Sequence, residues 1–238
     1  NVRCHDHPDL AATLNNLGAV ARAEGKYEEA REYYERALAI REKALGPDHP
    51  DFATALNSLG VVALEEGKFE EARATMERAL AIWEKALGQD HPDVAATVNN
   101  LGSLAYQEGK FEDARGYWER ALVIREKALG SDHPLVASSL DNLGGVSQAQ
   151  GNYEAARRYW ERGLAIREKA LGPDHPHVAG SLGDLGALAQ AEGKYEEARG
   201  YWARALAIRE KVLSPDHPDF LEAERGLEKA QQSLERQP

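Results

Sequence analysis

The chain has 238 residues, and 40 acidic against 29 basic side chains give it a net charge of −11. That balance excludes the phosphate-neutralising surface that non-specific nucleic-acid binding needs, and it disfavours docking on an anionic membrane. A single cysteine, Cys4, excludes an internal disulfide, no apolar run approaches the ~20 residues of a membrane span, and the dominance of Ala, Glu, Leu, Arg, Gly and Lys points to helix.

The chain opens on Asn1 rather than Met, so we read it as a processed or excised piece of something longer; no signal peptide is visible and a cytoplasmic location is expected. Cys4 lies among polar neighbours with nothing nearby to activate a thiol. The dipeptide His-Pro then occurs at His7, His49, His91, His133, His175 and His217, at a constant interval of 42 residues. The units run 7–48, 49–90, 91–132, 133–174 and 175–216, followed by a shorter segment, 217–236.

Each unit predicts two helices. Helix A is expected over roughly Pro8–Glu24, with Pro in its first turn and Asp48, Asp90, Asp132, Asp174 and Asp216 as N-caps in successive units. Gly25, Gly67, Gly109, Gly151 and Gly193 stop it. Helix B is expected from about Lys26 to Leu45, ended by Gly46, Gly88, Gly130 and Gly172, with Ser214 giving a looser stop in the fifth unit. In helix A the residues Leu10, Leu14, Leu17 and Ala21 form one apolar stripe; in helix B, Tyr27, Ala30, Tyr34, Ala37, Leu38 and Leu45 form the matching one. A lone hairpin cannot bury both stripes, whereas a stack can. The final segment has one apolar face, Phe220, Ala223, Leu227, Ala230 and Leu234, as a solubilising cap should; the first hairpin has no such cover. The expected architecture is all-α: a right-handed α–α superhelix of eleven helices, five hairpins plus a C-terminal capping helix, in one solenoid domain over 1–238.

Leu17-Gly18, Ala21, Ala30, Tyr34 and Ala37, with the text LNNLG…EGKYEEAREYYERALAIREKALGPDHPD, resemble the tetratricopeptide repeat, and the lengthened unit is similar to the kinesin light chain subgroup, which bacteria also carry in large signalling proteins. The resemblance implies a solenoid whose concave surface is lined by helix A. Opposite the apolar stripe of that helix lie Ala12, Asn15, Asn16, Ala19, Arg22, Ala23 and their equivalents, among which only Arg22, Glu65, Asp141 and Asp184 are charged. The outward face of helix B, in contrast, is dense in Glu, Arg and Lys, with Glu32–Arg36 an example of i,i+4 spacing. The helix A face therefore reads as one to be covered.

Its lining is an amide ladder: Asn15 and Asn16, Asn57 and Ser58, Asn99 and Asn100, Asp141 and Asn142, Gly183 and Asp184. Carboxamides both donate and accept without net charge, so they suit the backbone of an extended peptide. The resemblance implies that Asn at the second position grips a cargo backbone, here Asn16, Asn100 and Asn142; Ser58 and Asp184 depart from that pattern. Ser103, Tyr106 and Gln107 add shape and polarity in the third unit, and Gln148 and Gln190 follow. The alternative is that these amides only tighten contacts between hairpins. With Arg22 the lone cation of the lining, a carboxylate clamp is rejected, and a preference for acidic cargo is not expected.

The histidine corners are spaced by about the ~10 Å of packed helices, too far apart to share a zinc ion with ligands at ~2 Å, and pairs such as His5 with His7 or His175 with His177 supply too few ligands. Trp118, Trp160 and Trp202 fall on the position of Tyr34 and Met76 and should pack between helices, while Trp83, at the position of Arg41, Arg125, Arg167 and Arg209, either covers a neighbour or is an exposed contact point. No catalytic motif emerges, and neither metal nor cofactor is expected. The leading expectation is a non-enzymatic module binding a peptide or protein segment; the others are a sensor or regulatory arm of a larger bacterial enzyme, a signalling kinase or NTPase, and homo-oligomerisation through the N-terminal hairpin. Neither nucleic acid nor membrane is an expected partner.

Overall fold

The computed structural model describes residues 8–236, so Cys4, His5 and His7 lie outside the described residues. These residues form eleven helices and no strand: α1 (Pro8–Ala23), α2 (Tyr27–Leu45), α3 (Pro50–Glu65), α4 (Phe69–Leu87), α5 (Pro92–Gln107), α6 (Phe111–Leu129), α7 (Pro134–Ala149), α8 (Tyr153–Leu171), α9 (Pro176–Ala191), α10 (Tyr195–Arg209) and α11 (Pro218–Glu235). They fall into two compact units, Asn1–Ala128 and Leu129–Pro238.

In the first unit α1 packs on α2 and α3 on α4, and the hairpins stack through α2 on α3 and α4 on α5. Its largest core cluster joins Phe52, Leu56, Ile82, Trp83, Val94, Val98 and Ile124. In the second unit α7 pairs with α8 and α9 with α10, α8 stacks on α9, and α11 covers α9 and α10. Its core holds Trp160, Leu164, Leu182, Leu185, Trp202, Ala223 and Ala230. The predicted face of α11 is thus the one used: Ala223 and Ala230 are buried, and Phe220, Leu227 and Leu234 half-buried.

The apolar stripes are borne out except at the first helix and at the ends of some B helices, where Leu45, Leu87 and Tyr153 are exposed. Leu17 and Val20 of α1 are 43% and 57% exposed, whereas their counterparts Leu59, Val62, Leu101 and Leu104 are buried. The residues are the same type; α1 has no preceding hairpin among the described residues to cover them.

Helix starts need a correction. The caps are the histidines, not the aspartates before them. His49, His91, His133, His175 and His217 are extended, and each Nδ1 accepts the N–H two residues on, at 3.1–3.2 Å. An imidazole held this way satisfies one of the helix's orphan donors while the following Pro fills N1. The displaced aspartates reach across hairpins instead: Asp48 pairs with Lys85 at 3.0 Å, Asp174 with Lys211 at 3.0 Å, and Asp90 and Asp132 with Lys127 and Lys169. The ionic face of helix B is likewise partly a seam, since Arg31 binds Glu66 and Glu71, Arg73 binds Glu108, and Arg157 binds Glu192 and Glu197.

Helix ends follow expectation. Gly46, Gly88, Gly130 and Gly172 take φ of 87–88°, a conformation a side chain resists. Ser214 stands at that position in the fifth unit, and α10 accordingly ends 15 residues long where α8 has 19, its last turn continuing as Lys211 N–H to Ile208 O and Leu213 N–H to Arg209 O.

Candidate functional site

The two residues of each amide pair point to different neighbours because one helical step turns them by about 100°. The first residue of the pair faces the partner helix of its own hairpin or the next hairpin. Asn99 Oδ1 accepts from Arg125 at 3.4 Å, and Asp141 holds Arg167 through both oxygens, Arg167 Nη1 lying 2.9 Å from Oδ1. Asn57 Oδ1 accepts from Asn100 Nδ2 at 3.3 Å. Asn15 Oδ1 is buried with no hydrogen-bond partner among the described residues. Asn16 is exposed where Asn15 is half-buried, while Asn57 and Ser58, Asn99 and Asn100, and Asp141 and Asn142 are all half-buried. Ser58 Oγ donates to Thr54 O at 3.0 Å and Ser103 Oγ to Asn99 O at 3.3 Å, so both hydroxyls are turned onto their own helices.

Arg22 is not a free cation of the lining, for it pairs with Glu65 at 3.1 Å. Tyr106 is 37% exposed and tilts against Phe111 and Trp118, with ring centroids 5.3 and 5.7 Å apart. Gln148 is half-buried. Trp118 and Trp160 are buried as expected, and their Nε1 groups donate to the carbonyls of Asn99 and Asp141 at 3.1 and 3.2 Å, which locks the indoles beneath the ladder. Each indole lies flat against a helix A glycine, Gly102 or Gly144.

The residues that sequence reasoning passed over are the arginines of helix B. Arg41, Arg125, Arg167 and Arg209 are 7–9% exposed, and Trp83, in the same register, is 3% exposed with its Nε1 donating to Pro50 O at 3.1 Å. Trp83 therefore covers a neighbouring helix and is not an exposed contact. Burial lowers Arg41 and Arg125 from the ordinary guanidinium value. Arg41 donates to Asp51 O at 2.8 Å; Arg209 donates to Asp219 O at 2.5 Å and to Glu222 at 3.2 Å. The signal was present: position 41 continues the buried spacing 30, 34, 37, so the charge sits on a core stripe.

In the second unit Asp141 and Asp184 come together with Arg167, Arg209, Ser181 and Asp219 around a cavity of about 400 Å³. Among the described residues no group of three or more His, Cys, Asp or Glu is arranged to hold a metal, and no helix is long and apolar enough to cross a membrane.

One tetratricopeptide repeat family model matches residues 9–85, 51–117 and 93–149, and a second matches 136–177 and 178–219. Among solved structures, the kinesin light chain-type, nearly identical TPR-like repeats of Podosopora anserina are 29% identical over 87% of this chain and 98% of that one, with a TM-score of 0.71. BtubC (BKLC) from P. vanneervenii is 26% identical over 88% of this chain and 84% of its own, with a TM-score of 0.75. PilF of Pseudomonas aeruginosa, at 22% identity and a TM-score of 0.61 over 96% of this chain and 91% of its own, shares the fold. No curated protein matches the sequence. With both family models spread along nearly its whole length and its structural relatives drawn from kinesin light chain-like repeats, the chain belongs to the tetratricopeptide repeat family.

Proposed function

We propose that the chain is a protein–protein interaction module that holds an extended partner segment along the helix A faces of its repeats, gripping the partner's backbone through Asn16, Asn100 and Asn142. Tetratricopeptide repeat chains of this kind are interaction scaffolds. The observation that carries the finer reading is that the Asn carboxamides of the second position sit on the helix A face within reach of solvent: Asn16 is exposed, and Asn100 and Asn142 are half-buried. Asn100 spends one N–H on Asn57 and keeps its carbonyl oxygen and second N–H.

Replacing Asn16, Asn100 and Asn142 together by Ala should weaken binding of extended, N-acetylated peptides about tenfold or more, since each lost hydrogen bond is worth about 0.5–1.5 kcal/mol. Fluorescence anisotropy across a peptide library measures it. Peptides that bind the triple variant as tightly as the parent, with helical content unchanged, contradict the assignment.

A further inference from the structure

The fifth repeat breaks the lining pattern at three places, and two of them, Gly180 and Asp184, line one cavity. Gly183 stands where the other repeats have Asn15, Asn57, Asn99 and Asp141; Gly180 stands where they have Ala12, Thr54, Ala96 and Ser138; and Asp184 replaces the Asn or Ser of the second position. A Cβ built at Gly180 meets nothing within 4 Å, and one at Gly183 meets only Trp202 at 3.4 Å and Arg209 at 3.7 Å. Gly180 lines a cavity of about 400 Å³ bounded by α7, α8, α9, α10 and the start of α11, and Gly183 stands beside Arg209 of its wall.

The charges around it are unevenly paired. Arg167 is committed to both oxygens of Asp141 and to Ser181 Oγ at 2.5 Å. Arg209, with Gly at position 183, donates to Asp219 O, as Arg41 does to Asp51 O, and to Glu222. Both cations are therefore spoken for. Asp184 is the opposite case: it accepts no hydrogen bond among the described residues and faces the cavity beside Asp141. Four carboxylates, Asp141, Asp184, Asp219 and Glu222, thus surround two guanidinium groups. Val212, 53% exposed, and Leu213 give one wall an apolar shoulder. An unpaired carboxylate at the end of an apolar wall suits a side chain with an aliphatic stem and a cationic tip.

We propose that this cavity receives a lysine or arginine side chain of the partner segment, so that the fifth repeat selects for a basic residue. The inference rests on the groove reading above and adds the chemistry of the partner to it. The remaining electrostatics agree. Asp184 is exposed, but the protein crowded around its carboxylate and the nearby charges of Asp141 and Glu222 raise its pKa from 3.8 to about 7 against the opposing pull of Arg167 and Arg209. Facing it are Asp141 of α7, Arg167 of α8, His177 and Ser181 of α9, Arg209 of α10, and Asp219 and Glu222 of α11. A bound cation supplies the charge that Asp184 lacks and expels its proton, so basic peptides should bind more tightly at pH 8 than at pH 6 and release up to about one proton between them. The empty cavity bears a cost. A carboxyl with a raised folded-state pKa binds more protons folded than unfolded, so stability falls as pH rises from about 4 to about 7 and then levels off.

The test compares N-acetylated, C-amidated peptides of one neutral sequence with the same peptides carrying a single Lys, Arg or Glu, on the parent, Asp184→Asn and Gly183→Asn. The amide at 184 removes the charge and relieves the repulsion; the one at 183 stands beside Arg209 in the cavity wall and gives it the kind of partner that Arg125 and Arg167 have. The parent should prefer Lys or Arg peptides over neutral ones about tenfold, the margin a charge-assisted hydrogen bond provides. Both variants should lose that preference while still binding the neutral sequence, and Asp184→Asn should be the more thermostable of parent and variant at pH 8. Equal binding of basic and neutral peptides by the parent overturns the basic-residue pocket and leaves the groove standing, as does a preference that survives Asp184→Asn. Binding of no peptide at all removes the groove reading and this inference with it.

Discussion

Gly144→Ala should lower stability by about 2–3 kcal/mol, whereas Gly145→Ala, one residue along the same helix, should raise it by about 0.5–1 kcal/mol. The two glycines differ only in what lies opposite. A Cβ at Gly144 falls against the ring of Trp160, with Cε2 at 2.6 Å and Cδ1 at 2.7 Å, inside any tolerable contact. The indole cannot swing aside, since it is 4% exposed and its Nε1 is bonded to Asp141 O at 3.2 Å. α7 and α8 must therefore separate, and the ladder residue that anchors the ring moves with them. A Cβ at Gly145 meets nothing within 4 Å, so alanine there only removes the entropic cost of glycine in a helix interior. Urea midpoints of the two variants should move in opposite directions; shifts of the same sign would show that the Gly–Trp contact is not what sets the hairpin spacing.

The second large effect is expected at Arg167. Its guanidinium is 8% exposed and forks onto Asp141, whose side chain is 26% exposed, with Ser181 as a further acceptor. Removing the arginine leaves a carboxylate on a crowded wall beside a second one, Asp184, with the nearest compensating charge gone. Truncating one member of a buried pair costs about 3 kcal/mol or more, most of it the penalty of the stranded charge. Arg167→Ala should approach that figure. Adding Asp141→Asn should recover a substantial part, since the neutral amide asks for less, and the recovery measures the coupling. Additive losses in the double variant would mean that the pair is a surface contact of little consequence. The comparison inside the chain supports the expectation: Arg125, in the same register, is matched with a neutral Asn99 at 3.4 Å rather than with a carboxylate.

The period made the fold legible. Six His-Pro corners and two apolar stripes per unit are enough to place every helix but α10 within a residue or two, because hairpin stacking is dictated by what each stripe must bury. Where the reading erred, the choice lay between residues able to do the same local job. Asp48 and His49 can both cap a helix, and the extended backbone at His49 decides it, sending Asp48 to Lys85. The exposure of Leu17 is invisible in its own stripe, since it depends on a neighbour rather than on the helix that carries it.

The candidate site was half legible. Asn15, Asn57, Asn99 and Asp141 stood out, but their partners did not. Arg125 and Arg167 lie 26 residues further on, in helices that carry several other arginines, among them Arg120 and Arg157, which pair with Glu84 and Glu192 between hairpins. Only the stripe position of Arg41 and its equivalents, one turn beyond Ala37, distinguishes buried arginine from solvated arginine in the sequence. The same register explains Trp83: Trp and Arg are both long, planar donors, and either can lie over the start of a helix A, as Trp83 on Pro50 and Arg41 on Asp51 do. The cavity in the fifth repeat was hidden for a different reason. It opens where Gly180 omits a side chain, and an omission acquires meaning only when the walls around it are in place.

The central claim is that a partner lies along the helix A faces and touches the second residue of each amide pair. Side-chain amide NMR spectra, recorded while an extended peptide that binds is titrated in, test it most directly. The account predicts that the NH2 signals of Asn16, Asn100 and Asn142 shift with the binding curve while backbone amides at the helix B positions Glu28, Glu70 and Glu154 stay still. Shifts confined to helix B, with those three carboxamides unmoved at saturation, would place the partner on the opposite surface and contradict the account.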